Sequence, residues 1–193
     1  MLKAAIEAAP IASALLRPAA GIRIDAATAR PLVATMQEAG IAALIAEGMD
    51  TQRKLGADGI HVPWSQDIVR EFKTLRQAAP RETIIGADAG RSRHDAMEIG
   101  EAGADYVAFG IPPHVEDRAK AAERQRDLVA WWSELFEIPC VAFDVESVEA
   151  ARRLTAAGAD FVSVRVTGAD AEQAAAARVR EFSEALKMPE PAK

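Results

Sequence analysis

Short apolar runs alternate along this chain with longer stretches in which apolar positions recur at helical spacing. The short runs, bounded by turn residues, fit strands of a parallel sheet, and the longer stretches fit the helices that cross between them. The pattern predicts strands over residues 11–17, 41–46, 58–62, 83–87, 105–109, 139–143 and 160–165. Helices are expected at 2–9, 25–38, 49–55, 65–79, 92–102, 115–136, 146–157 and 169–187. Ser92 and Ser147 stand where a helix start needs a side-chain cap, and Asp95 three residues after Ser92 makes a variant of the capping box.

A repeat underlies the alternation. The tripeptide Gly-Ala-Asp follows a helix and leads into a strand at residues 56, 103 and 158, with glycine where the helix must end in a left-handed conformation. Each interval holds two strand-helix units. Regular repetition of this kind favours a TIM-type (βα) barrel, in which every strand has an equivalent environment, over an open doubly wound sheet. No G-x-G-x-x-G follows any strand, and GADAGR at 86–91 lacks the spacing. A barrel needs eight strands, but the chain opens with a helical segment, so the first strand is missing or is encoded upstream of Met1. The strands flanking such a gap would expose unpaired backbone groups, and a partner subunit in a homo-oligomer or a covering helix is expected there. Residues 1–187 read as one barrel domain and 188–193 as a disordered tail.

Composition narrows the function classes. The 193 residues are 50% hydrophobic, enough for one sizeable core. A formal net charge of -6, with 23 basic residues dispersed among 29 acidic ones, leaves no footprint for nucleic acid or an anionic membrane. The lone Cys140 lies in an apolar run and forms no internal disulfide; a buried, inert thiol is expected. Glu7 and Pro10 interrupt the apolar start before a signal-peptide core forms, and no run reaches the roughly 20 residues of a membrane span. A cytoplasmic protein is expected.

In (βα) barrels the chemistry lies at the C-terminal ends of the strands. Those positions are Arg17, Glu47, His61 with Pro63 and Trp64, Asp88, the loop from Gly110 to His114, Asp144 with Glu146, and Arg165 with Thr167. If Arg165 and Asp144 point into the mouth, period-two alternation puts Ser163 and Ala142 there too and turns Val164 and Phe143 to the helices. Arg165 suits a phosphate, in the region that often frames a phosphate site, or an ion pair with Asp144. The carboxylates Glu47, Asp88, Asp144 and Glu146 read as Mg²⁺ ligands or as solvated loop acids. His61, His94 and His114 show no metal-ligand spacing, and His61 reads as packed, with His114 a candidate for acid/base work. Arg91 and Arg93, at the start of a helix, form either an anion site or a basic first turn paired with Asp95 and Glu98. Trp131 and Trp132 read as helix packing.

Three segments carry a family resemblance. ALIAEGMDTQRKLGADGIHV, IIGADAGRSRHDAMEIGEAGADYVAFG and IPCVAFDVESVEAARRLTAAGADFVSV, in that order, resemble successive strands and helices of the thiamine phosphate synthase and TenI family, with residues 11–168 in register. The resemblance implies a barrel that takes small phosphorylated substrates and Mg²⁺. Synthases of the family join a pyrimidine methyl diphosphate to a thiazole phosphate and release pyrophosphate; the TenI branch isomerises a thiazole phosphate. The family's Gln-x-Arg-x-Lys keeps only Arg17, with Leu15 and Ala19 in the other places. Its metal-holding Asn-Asp reads Ala46-Glu47, which makes Glu47 the residue at the metal position. Its HLGQED reads HVPWSQD, keeping His61 and bringing in Trp64, with the second metal acid at Asp67 or lost to Gln66. The Thr-x-Thr-Lys loop reads IPPHVEDRAK, and the phosphate-cradling Gly-Gly reads Asp144-Val145. The strand-end positions and the resemblance together give Glu47, His61, Asp88 and His114 as candidates for catalysis. For phosphate the candidates are Arg17, kept from the family's pattern, together with Ser163, Arg165, Arg91 and Arg93, read from their places in the barrel. The resemblance also implies a diverged member: a weak transferase, a TenI-like isomerase or a non-catalytic binding protein.

Overall fold

A computed structural model describes residues 1–19, 21–112 and 114–187. The expected tail, 188–193, lies outside the described residues. Seven parallel strands lie in one curled sheet in chain order, each joined to the next by a helix. The strands are β1 (Ser13–Leu16), β2 (Ala42–Ile45), β3 (Gly59–Val62), β4 (Ile84–Asp88), β5 (Tyr106–Phe109), β6 (Cys140–Val145) and β7 (Phe161–Val164). The helices are α1 (Leu2–Ala8), α2 (Ala26–Glu38), α3 (Met49–Leu55), α4 (Ile68–Ala78), α5 (Arg93–Glu101), α6 (Arg118–Leu135), α7 (Val148–Ala156) and α8 (Glu172–Leu186). Every expected element is present, with ends shifted by up to three residues, and the architecture is the TIM type.

The sheet does not close. Among the described residues no pairing joins β7 to β1, and these two strands are the most exposed of the seven, with Phe161 47% exposed. The outer layer does close, because α1 packs along α8 across the opening. A helix of this chain thus bridges the helix layer at the gap, while the edges of β1 and β7 stay exposed.

The Gly-Ala-Asp repeat does more than end helices. Gly56, Gly103 and Gly158 all have positive φ (67°, 89° and 103°), and the alanine after each is buried. Each aspartate then grips one residue of the preceding strand at both its backbone groups. The Asp58 N–H donates to the Ala43 carbonyl (2.9 Å) while its carboxylate accepts from the Ala43 N–H (2.7 Å). Asp105 does the same to Ile85 (2.9 and 2.7 Å), and Asp160 to Cys140 (3.1 and 2.8 Å). The repeat therefore staples β2 to β3, β4 to β5 and β6 to β7 at their N-terminal ends. The stretch before β1, Ala9-Pro10-Ile11-Ala12, has no such aspartate.

Helix-facing side chains build the core. Ala43, Ile45 and Ile60 pack with α2 and α3, while Val62, Ile85, Ala87, Val107 and Phe109 pack with α4, α5 and α6. Trp131 and Trp132 serve this packing as expected: Trp132 is fully buried, stacks on Phe136 (4.1 Å) and donates to the Ile138 carbonyl (2.7 Å). Ser92 and Ser147 cap α5 and α7 through the N–H groups of Asp95 and Ala150.

One alternation differs from expectation. Phe143 faces the barrel interior, 4.6 Å from the His61 ring, whereas Ala142 packs with Cys140 in the helix-facing core. The register shows why: Ala142 pairs with Val162 and Val145 with Val164, so β6 carries one extra residue between them. Asp144 takes up that residue in a left-handed conformation, φ 53°. The bulge turns both Phe143 and Asp144 to the mouth and returns Val145 to the core.

Asp105→Ala should leave the N–H of fully buried Ile85 without a partner at a cost of about 1–3 kcal/mol. Urea unfolding should show a lower midpoint with an unchanged slope. Asp105→Asn, which keeps an acceptor oxygen, should retain most of the stability.

Candidate active site at the strand ends

The floor of the mouth is an aromatic layer. His61 on β3 is 1% exposed, lies against Phe143, and shares a 2.8 Å hydrogen bond between Nδ1 and the Tyr106 hydroxyl. Tyr106 fits because Gly86, its neighbour on β4, has no side chain; a Cβ there would run into the phenol ring. Burial, with the nearby Arg17 charge adding to it, pushes the His61 pKa down to about 3. The imidazole is therefore neutral at physiological pH, and its Nε2 has no partner among the described residues.

Asp88 ends β4 and is 8% exposed. Its Oδ1 accepts from the N–H groups of Gly90 (2.8 Å) and Gly110 (2.9 Å), tying together the loops that follow β4 and β5. Oδ2 has no donor among the described residues. Burial raises the Asp88 pKa to about 6, against the lowering effect of the two backbone donors; Asp144 raises it further and Arg17 lowers it. A carboxyl with these properties exchanges protons near neutrality, as an acid/base group must.

Arg17 spans the mouth from β1 to β6. Its guanidinium pairs with Asp144 (2.7 Å) and lies 5.5 Å from the Phe143 ring centre. Asp144 is thus the partner of Arg17 and not of Arg165. Arg165 is exposed just beyond β7, on the same side of the strand as Ser163, and has no ion-pair partner among the described residues.

Other candidates lie elsewhere or are engaged. Glu47 accepts from the Ile24 N–H and, through its other oxygen, from the Thr51 hydroxyl (2.8 Å), so it ties the segment before α2 to the start of α3. Glu146 pairs with Arg118 (3.2 Å). Arg93 lies 4.8 Å from the Trp131 ring on the outer face of α6, and Glu98 pairs with Lys73 rather than with the Arg91–Arg93 turn. Arg91 is exposed at the rim, where its carbonyl accepts from Arg124 (3.3 Å). His114 is exposed, with its ring 5.1 Å from Trp64.

These donors do not fit Mg²⁺. Both Glu47 oxygens are engaged, Asp67 pairs with Arg70 (2.8 Å), and no group of three metal-ligating side chains gathers among the described residues. The ion demands near-ideal octahedral oxygen geometry. Sequence reasoning placed the mouth but missed the Arg17–Asp144 pair, the Tyr106 partner of His61 and the contact of Trp64 with His114. The even spacing of Tyr106, Ala108 and Gly110 along β5 was the available signal that Tyr106 faces inward.

Asp88 and His61 should act oppositely on stability. The raised pKa of Asp88 gives stability that is complete below about pH 4 and lost as pH rises through about 6, on the order of 3 kcal/mol. The lowered pKa of His61 gives stability present above about 6.5 and lost as pH falls toward 3. Asp88→Asn, which keeps an acceptor for Gly90 and Gly110, should remove the first dependence. Denaturant titrations from pH 4 to 8 should show this variant more stable than the parent at pH 7, with the difference vanishing near pH 4.

Comparison with known proteins bears on the chain as a whole. A family model described as thiamine monophosphate synthase, TMP-TENI, matches residues 3–167. The thiamine-phosphate synthase of Hyphomonas neptunium is 40% identical over 152 residues, covering 79% of this chain and 67% of that protein. Those of Erythrobacter litoralis (38% over 138 residues, 70% and 63% covered) and Rhodospirillum centenum (37% over 169 residues, 84% and 78% covered) are similar. The match thus spans about two thirds of the length of the first two relatives. Among solved structures, a thiamine phosphate pyrophosphorylase from Pyrococcus furiosus superposes with a TM-score of 0.72 at 21% identity, covering 95% of this chain and 88% of that one. Among the described residues no helix is long and apolar enough to cross a membrane.

Proposed function

The chain belongs to the TMP-TENI family of thiamine monophosphate synthases, and from that premise we propose that it serves thiamine biosynthesis by taking a small phosphorylated heterocycle at its strand ends. The chemistry that the site supports best is proton transfer on the bound ring, an isomerisation of the TenI kind. The observation that carries this reading is Asp88: a buried carboxyl with one oxygen fixed by two backbone donors, the other unpartnered, and a pKa near 6. As carboxylate it accepts a proton from one ring position and, as acid, returns it at another, so no bond to phosphorus breaks. Neutral His61 and Tyr106 hold the floor below. The anion is expected against Arg17 and Arg165, with Ser163 beside them; two guanidiniums offset Asp144 where one alone would not.

A second reading is the joining of a pyrimidine diphosphate to a thiazole phosphate, and the names of the relatives favour it. Against it stands the donor set, which does not fit the Mg²⁺ that the family uses with a diphosphate. Product analysis separates the two. Incubation of the protein with a thiazole phosphate in D₂O should exchange or shift a ring proton, with kcat/KM falling below about pH 6. Both substrates with Mg²⁺ should yield little pyrophosphate; turnover near the ordinary enzyme median of roughly 10 per second would establish the transferase instead.

Asp144→Asn tests the anion site. Asparagine tolerates the left-handed conformation and releases Arg17 from its ion pair, so affinity for phosphate should rise several-fold by calorimetry. Alanine at both Arg17 and Arg165 should abolish binding.

A further inference from the structure

We propose that Trp64 is a specificity-determining residue of this mouth, taking the flat face of a heteroaromatic ring on the exposed part of its indole; the choice of a thiazole as ligand rests on the function proposed above. Three observations converge on this residue. Trp64 follows β3, is half-buried, and leans on Gly90 in the loop after β4, where any Cβ would overlap the indole edge. Gly90 is itself fixed by its N–H bond to Asp88 (2.8 Å), so the indole sits one residue contact from the carboxyl assigned to proton transfer. On another side, the His114 ring lies 5.1 Å away at an interplanar angle of 38°.

Trp64 therefore bridges the loops after β3, β4 and β5, and its half-exposed indole stands against the Gly90 that Asp88 holds. A purely structural tryptophan is expected to be enclosed with its N–H bonded, as Trp132 is through Ile138; Trp64 is half-exposed, and its Nε1 has no acceptor among the described residues. An aromatic wall next to a buried carboxyl recognises a planar ring that carries an exchangeable proton. An aliphatic phosphate of the same charge would gain nothing from it.

The test measures binding of hydroxyethylthiazole, its phosphate ester and inorganic phosphate to the parent protein, Trp64→Phe and Trp64→Ala by calorimetry. Trp64→Ala should weaken both thiazoles about tenfold and leave inorganic phosphate unchanged, while Trp64→Phe should keep most of the thiazole affinity. Thiazole binding unchanged in Trp64→Ala, an equal loss for inorganic phosphate, or no thiazole binding by the parent protein would each overturn the assignment. If the alcohol binds through Trp64 and the phosphate ester binds no better, the wall stands and the phosphorylated ligand of the preceding section falls.

Discussion

The structure depends on a clamp of two hydrogen bonds made three times. In each Gly-Ala-Asp segment a glycine with positive φ ends a helix, an alanine enters the core, and an aspartate holds both backbone groups of one residue in the preceding strand. Parallel strands do not meet through a short turn, so their register must be fixed by something other than connection length. Here it is fixed by the aspartates, which also satisfy N–H groups that would otherwise open onto the bottom of the sheet. Because each clamp acts within one pair of strands, the sheet is assembled from three self-registered pairs plus β1.

The opposite ends of the same strands are held differently, by Asp88 between the loops after β4 and β5 and by the Arg17–Asp144 pair. Asp144 occupies a left-handed position of the kind glycine prefers. Aspartate holds it at modest strain, because a short polar side chain tolerates that conformation better than most. The consequence is electrostatic: a carboxylate reaches Arg17 at 2.7 Å and neutralises the guanidinium that spans the mouth. It also raises the affinity of Asp88 for a proton. A single bulge in β6 thus couples the anion-attracting group to the proton-exchanging one.

The fold was legible because it is written in local signals: short apolar runs, helical spacing, serine caps and a repeated tripeptide. The site was only half legible. Position at a strand end identified Arg17, Asp88, Asp144 and His61, but partners come from strands far apart in sequence, such as Arg17 and Asp144, and no periodicity reports them. The inward turn of Phe143 was hidden for a different reason, since one extra residue in β6 reverses alternation without any glycine to mark it. Glu47 shows the reverse error. Its place suggested a metal ligand, whereas the backbone N–H of Ile24 and the hydroxyl of Thr51 occupy its oxygens.

A sheet with two open edges ought to be weakened along its whole length, yet the exposure here is confined. The pairs β2–β3, β4–β5 and β6–β7 are each clamped, and β1 alone of the described strands stands outside a clamped pair. The polar cost falls on the outer edges of β1 and β7, which are correspondingly exposed, while the apolar helix layer is continued across the gap by α1 packing on α8. Helix closure without strand closure leaves Arg17 on a free edge, with its backbone held from one side only. From that edge the Arg17 side chain crosses the mouth to Asp144 on β6, so one ion pair links the open edge of the sheet to its far side.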